Sequence, residues 1–221
     1  MDGKNVGERT ETVQIPPFRL EGNLGLPALR AAGLVLFAHG SGSSRHSPRN
    51  NFVAAALRQA GLATLLFDLL SEAEAEDRAN VFDIGLLADR LMAATAWAGS
   101  FAKIRSLPIG YFGASTGAAA ALVAAARLGD GIGAVVSRGG RPDLAGDALP
   151  RVKAPTLLIV GGRDLEVVAL NREALRALRC ERKIEIVPNA THLFEEPGTL
   201  EAVVDLARDW FIARLAAHAR R

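Results

Sequence analysis

Six short runs, at residues 33–38, 62–67, 107–112, 133–137, 155–160 and 183–187, punctuate this chain, with helix-patterned or turn-rich segments between them. A five- or six-residue apolar run bounded by Gly, Pro or polar residues fits a strand buried on both faces. Strands separated by helices cannot close as tight hairpins, so they pair in parallel and the helices cover both sides of the sheet. The fold class expected is therefore α/β, with a mostly parallel twisted sheet. Successive parallel strands end at the same edge, and ligands bind at that edge. The residues at or just beyond the run ends are His39, Asp68, Ser115, Arg138, Asp164 and His192. Six polar or ionisable side chains are thus expected to gather along one rim.

The segments around these runs complete the layout. Residues 12–15 and 18–24 predict an antiparallel edge hairpin broken by Pro16-Pro17, after a polar stretch, residues 1–11, expected to be a flexible leader. Helices are expected at 51–59, 118–128 and 170–178. A further helix follows an acidic loop at 71–77 and carries Val81, Ile84, Ala88, Leu91 and Thr95 on its inner face. A last one shows Leu200, Val203, Val204, Ala207, Phe211 and Leu215 as a single stripe. Between 138 and 154 there is room for a short helix and no cap. A single domain over 1–221 is expected.

Composition narrows the function classes. With 49% apolar residues and 23% charged, the chain reads as a soluble globular protein. A net charge of +2 and arginines scattered among acids give nucleic-acid binding no support. The lone Cys180 fits a reducing cytosol. No secretory h-region is visible, and no apolar run reaches the roughly 18 residues that span a bilayer. A cytoplasmic location and no membrane partner are expected, and the sequence leaves the oligomeric state open. There is no His-x-x-x-His or Cys cluster for a metal, no dinucleotide fingerprint, and no acid pair before a Gly/Thr phosphate loop of the kind phosphoribosyl transfer needs. No metal or cofactor is expected.

Gly113-Ala114-Ser115-Thr116-Gly117 lies where a strand-like run meets an Ala-rich helical run. Gly-x-Ser-x-Gly in that setting predicts a nucleophile elbow, a sharp turn that lifts a serine hydroxyl above the sheet. Such a hydroxyl needs a base, and the base an acid to fix its tautomer. Of four histidines, His192 follows a strand onto the active rim, and it is the expected base. Asp164, after a strand and paired glycines, is the expected acid; helix capping is its competing role, and Asp143 and Glu166 are rivals. The chain order Ser115, Asp164, His192 is the Ser-acid-His order of α/β-hydrolases. An oxyanion needs preorganised N–H donors, expected from the backbone of Thr116 and of Ser41, with Gly42 close behind. His39 reads as a residue that shapes this loop more than as a catalytic one, although it could also line the substrate site. Arg45, Arg49, Arg138 and Arg141 flank the rim. Arg138 and Arg141 match a substrate carboxylate bidentately, but pairing with Asp68 or Asp143 is the favoured reading, because buried arginines commonly have acidic partners.

Together His39-Gly40-Ser41-Gly42, Gly113-Ala114-Ser115-Thr116-Gly117, Gly161-Gly162-Arg163-Asp164 and Ala190-Thr191-His192 resemble the α/β-hydrolase superfamily, and most closely its compact dienelactone-hydrolase-like branch, across residues 13–215. The resemblance implies hydrolysis of small carboxylic esters or lactones through an acyl-serine. Dienelactone hydrolases proper carry a Cys nucleophile where this chain has Ser115, and their substrate-carboxylate arginines have no motif counterpart here. Without a cap, the expected site is shallow and open, suited to a small-molecule ester. A thioesterase, acyltransferase or peptidase would use the same triad, and a non-catalytic binding protein could occupy the same scaffold.

Overall fold

A computed structural model describes residues 9–220. Strands β1 (Arg9–Ile15) and β2 (Leu20–Leu26) form an antiparallel hairpin, and β2 continues antiparallel onto β4 (Ala63–Phe67). The remaining strands, β3 (Leu34–Ala38), β5 (Ile109–Ala114), β6 (Ala134–Arg138), β7 (Thr156–Gly161) and β8 (Arg182–Val187), pair in parallel. The spatial order is β1-β2-β4-β3-β5-β6-β7-β8. From β5 onward, neighbours in the chain are neighbours in the sheet.

Period-two alternation divides the central strands between two cores. Leu36, Leu65, Tyr111, Val135 and Leu158 face one way, against α4 (Ile84–Ser100), α5 (Thr116–Leu128) and α6 (Leu165–Ala177). Phe37, Leu66, Phe112, Val136 and Ile159 face the other way, against α1 (Pro48–Gln59) and α7 (Thr199–His218). Both faces are thus covered, which is why the strands read as continuous apolar runs and not as alternating ones.

The predicted stripe on α7 is the face it buries: Val203, Ala207, Phe211 and Leu215 are all inaccessible to solvent. The Phe211 ring lies over β5 because Gly110 leaves space for it; a methyl group at Gly110 would stand 2.7 Å from Phe211 Cε1. Phe211→Ala is expected to lower unfolding free energy by about 3–5 kcal/mol, read by denaturant titration, because transfer and cavity costs add at a site walled by strand backbone.

Two local expectations are corrected. The leader was expected to run to Glu11, but Arg9, Thr10 and Glu11 pair with Leu26, Gly25 and Leu24. Backbone pairing at a sheet edge holds polar residues that hydropathy reads as tail; residues 1–8 lie outside the described residues. The acidic loop contains α2 (Glu72–Ala75), where Ser71 and Glu74 form a reciprocal capping box. The helix expected after it is broken in two, α3 (Arg78–Phe82) and α4, at Asp83. Asp83 leaves helical geometry and accepts a hydrogen bond from Leu86 N at 2.9 Å, capping α4. Val81 therefore belongs to α3.

Between β6 and β7 the chain makes only 3₁₀ turns over Pro142–Arg151. Among the described residues no cap covers the carboxyl edge of the sheet.

Candidate active site

Ser115 joins β5 to α5 with φ 50° and ψ −123°, a region that L residues enter at a cost of order 1–3 kcal/mol. The flanking glycines make this turn possible by omission. A Cβ at Gly113 would stand 2.4 Å from Ala118 Cα, and one at Gly117 would stand 2.2 Å from Ala38 O. No side chain fits at either position, so strand, elbow and helix pack backbone to backbone. Gly40 makes the same allowance from the β3 loop: a Cβ there would lie 2.9 Å from Ser115 Cβ.

Asp164 stands at the N-cap position of α6 yet makes no capping hydrogen bond. Its Oδ2 instead lies 2.7 Å from His192 Nδ1. The rival acids are engaged or elsewhere: Asp143 takes both Nε and Nη2 of Arg141, at 2.9 and 2.8 Å. A carboxylate at Nδ1 favours the tautomer with the proton on that nitrogen, which leaves Nε2 as the acceptor. The loop bearing His192 is drawn in by missing side chains and by Glu196. A Cβ at Gly161 would sit 2.5 Å from both Ala190 O and Thr191 O, and Thr191 N donates to Glu196 Oε2 at 3.0 Å. Gly139 (φ +50°) lies against His192 O, its built Cβ 3.0 Å away, while Arg138 O lies 3.4 Å from Ser115 N. The Ser115 elbow and the His192 loop thus meet across residues 138–139. Among the described residues no hydrogen bond links Ser115 Oγ to His192 Nε2.

The loop after β3 is held by His39. Its Nε2 accepts from Leu69 N at 3.1 Å, and its Nδ1 donates to Gly40 O at 3.0 Å. The imidazole is therefore neutral, and burial holds its pKa below the ordinary 6.5, outweighing the opposing pull of the Gly40 bond and the Asp68 charge. The unfolded chain takes this proton more readily than the folded one. The stabilisation is complete above pH 6.5 and is lost as pH falls through the lower folded-state value. Melting temperatures measured from pH 7.5 downward should show this loss in the native chain, and His39→Gln should show a shallower one.

Ser41 and Thr116, the two residues expected to supply oxyanion donors, are joined to each other: Ser41 N donates to Thr116 Oγ1 at 3.0 Å. Gly42 (φ +68°) faces open space. Asp68, expected to pair with Arg138 or Arg141, is instead taken by Arg45, which also binds Glu21. The expected acidic partner fails to appear for Arg138. It is 7% exposed, and its side-chain hydrogen bond is to Asn50 Oδ1 at 3.4 Å. Nothing in the hydrophobic pattern of α1 marks Asn50, the third residue of that helix, as its neighbour.

A cavity of about 760 Å³ opens beside this loop. Its walls include Gly40, Ser41, Leu69, Leu70, Val81 and Leu87. Among the described residues no cluster of His, Cys, Asp or Glu could hold a metal, and no helix is long and apolar enough to cross a membrane.

A mostly parallel sheet with helices on both faces, a serine elbow and no cap defines an α/β-hydrolase fold. Residues 49–210 match the dienelactone hydrolase family, and the chain belongs to that family. It is 57% identical to a dienelactone hydrolase of known structure from Anabaena variabilis, with a TM-score of 0.89 over 94% of this chain and 98% of that one. A lidless α/β serine hydrolase from Xanthomonas campestris shares the fold at 23% identity, with a TM-score of 0.72 over 94% and 95% of the two chains. Two Mycobacterium tuberculosis proteins provisionally named phosphoribosyl transferases are 59% identical over 209 residues, 94% of this chain. The chain spans about half the length of these curated relatives, 47%.

Proposed function

We propose that this hydrolase cleaves small carboxylic esters or lactones by a serine mechanism. The observation that carries the reading is the Asp164 carboxylate on His192 Nδ1 at 2.7 Å, at the same sheet edge as a serine held on a strained elbow. Asp164 orients the imidazole and stabilises it once charged. His192 Nε2 takes the Ser115 proton as Oγ attacks the carbonyl; the contact between them tightens when substrate is bound, as catalytic hydrogen bonds commonly do. The tetrahedral oxyanion is received by the Thr116 N–H, at the start of α5, and by the Ser41 N–H, which exchanges Thr116 Oγ1 for the oxyanion. His192 then returns the proton to the leaving alcohol, and water releases the acid from Ser115 by the same steps in reverse order. Thioester, peptide or acyl-transfer chemistry would share the acyl-enzyme and differ in the leaving group or acceptor.

The cavity reaches Gly40 and Ser41 beside the elbow but none of Ser115, Asp164 and His192, and its walls mix Leu69, Leu70 and Val81 with Arg19, Arg45 and Glu72, which supports a small molecule with both polar and apolar parts. Cys180 as the only cysteine supports a cytoplasmic setting. The phosphoribosyl transferase name belongs to relatives about twice as long, and this chain has no phosphate loop behind an acid pair. The hydrolysis proposed here concerns the half of those relatives that this chain spans. A fluorophosphonate probe is expected to label the folded protein at Ser115, read by peptide mass spectrometry. A folded protein left unlabelled there would favour a binding role on the same scaffold.

A further inference from the structure

The large cavity lies on one side of the elbow and the proton relay on the other. In the sheet, β3 and β4 stand to one side of β5, and β6, β7 and β8 to the other. The loop after β3, the turn after β4 and α2 wall the cavity, whereas Asp164 and His192 follow β7 and β8. The cavity meets the elbow at Gly40, where a Cβ would stand 2.9 Å from Ser115 Cβ. The lining residues that are themselves buried are all leucines: Leu20, Leu69, Leu70 and Leu87. Arg19, Ser71 and Glu72 line it as exposed residues, so its polar groups stand toward solvent.

The α2 wall is thinly packed and is held through Glu74. No residue from Ser71 to Leu86 is buried. One Glu74 oxygen accepts from Arg90 Nη2 of α4, and the other accepts from Ser71 N at 2.9 Å and Ser71 Oγ at 3.0 Å. Asn80 Nδ2 of α3 donates to Glu74 O at 3.0 Å. The Arg90 side chain is buried, with the Phe18 ring centre 3.4 Å from its Cζ. A buried ion pair adds little net stability, but it fixes one geometry. Arg90 and Glu74 thus set where Ala73 and Ala75 of α2 stand along the cavity.

We propose that this cavity receives the acyl half of the ester, and that α2, positioned by Arg90, sets the length of acyl chain admitted. The assignment rests on the serine-hydrolase reading. After Oγ attacks, the carbonyl carbon holds Ser115 Oγ, the oxyanion, the leaving oxygen and the acyl carbon. The leaving oxygen takes the His192 Nε2 proton as its bond to carbon breaks, so it must lie within hydrogen-bond reach of that nitrogen. The alcohol is thereby placed on the β7 and β8 side, and the acyl carbon is left the side of β3 and β4. A volume of about 760 Å³ falls in the range that encloses a drug-sized ligand, far more than an acetyl group fills. The acyl groups that suit it carry an aliphatic body over the leucines, with any polar end at the exposed rim.

Two ester series test this. On p-nitrophenyl esters, kcat/KM for the hexanoate over the acetate should exceed about tenfold in the native chain. Ala75→Phe, at an exposed position of α2, should cut that ratio by about tenfold. On acetate esters, kcat/KM for hexyl over ethyl acetate should stay within about twofold on the same substitution, because the alcohol lies across the elbow. Arg90→Met should lower the hexanoate-to-acetate ratio mainly through the KM of the hexanoate; a folded Arg90→Met with the native ratio would overturn the role given to Arg90. Should that variant not fold, Ala75→Phe carries the test. A native hexanoate-to-acetate ratio near one, a ratio untouched by Ala75→Phe, or a loss confined to the alcohol series would overturn the acyl assignment and leave the hydrolase reading standing. Failure to turn over any ester of either series would remove both.

Discussion

Ser115→Ala is expected to lower kcat for p-nitrophenyl acetate by on the order of a millionfold, the scale on which removal of a serine nucleophile acts in hydrolases. The structure makes this substitution a clean one. Ser115 Oγ makes no hydrogen bond among the described residues, so its loss leaves no buried partner unsatisfied. The elbow is fixed by Gly113 and Gly117, not by the hydroxyl. Stability in denaturant should therefore stay within about 1 kcal/mol of the native chain while the rate collapses. Equal rates for the two proteins on a purified preparation would remove Ser115 from the mechanism.

Asp164→Asn is expected to lower kcat by about 10⁴, as it does when the acid of a serine-protease triad becomes an amide. An amide can present its NH₂ to His192 Nδ1, which favours the tautomer with the proton on Nε2, where it cannot accept from Ser115. The same experiment decides among the acids. Asp143→Asn weakens the bidentate grip on Arg141 at 2.9 and 2.8 Å, and it should change kcat by less than about tenfold. If Asp143→Asn or Glu166→Gln proved as damaging as Asp164→Asn, the 2.7 Å contact would have to be read as structural.

Much of this was legible in the sequence because the relevant physics is local. Apolar runs of strand length, glycines around Ser115 and glycines before Asp164 each announce a short-range geometry, and the strands, the elbow and the rim positions of Asp164 and His192 all follow from them. What was not legible depended on contacts between distant segments. Arg9 to Glu11 look like a tail until their backbone meets Leu24 to Leu26. The break at Asp83 was within reach, since an Asp three residues before Leu86 is a capping pattern, but the apolar spacing ran straight through it. Side-chain partnership was the least readable. Arg138 and Arg141 were both expected to meet an acid, yet only Arg141 did; Arg45 and Arg49 found carboxylates and Arg138 found Asn50, which is 88 residues away in the chain.

The order in which the strands lie side by side divides labour along the polypeptide. Ser115, Asp164 and His192 all hang from the contiguous stretch β5 to β8, whereas the wall of the large cavity is built from the β3 loop, the turn after β4 and the two brief helices at 72–82. The candidate triad and most of the cavity wall thus come from separate halves of the chain, with Gly40 and Ser41 as the seam between them. Substitutions at Leu70 or Val81 reshape the cavity without touching the strands that carry Ser115, Asp164 and His192.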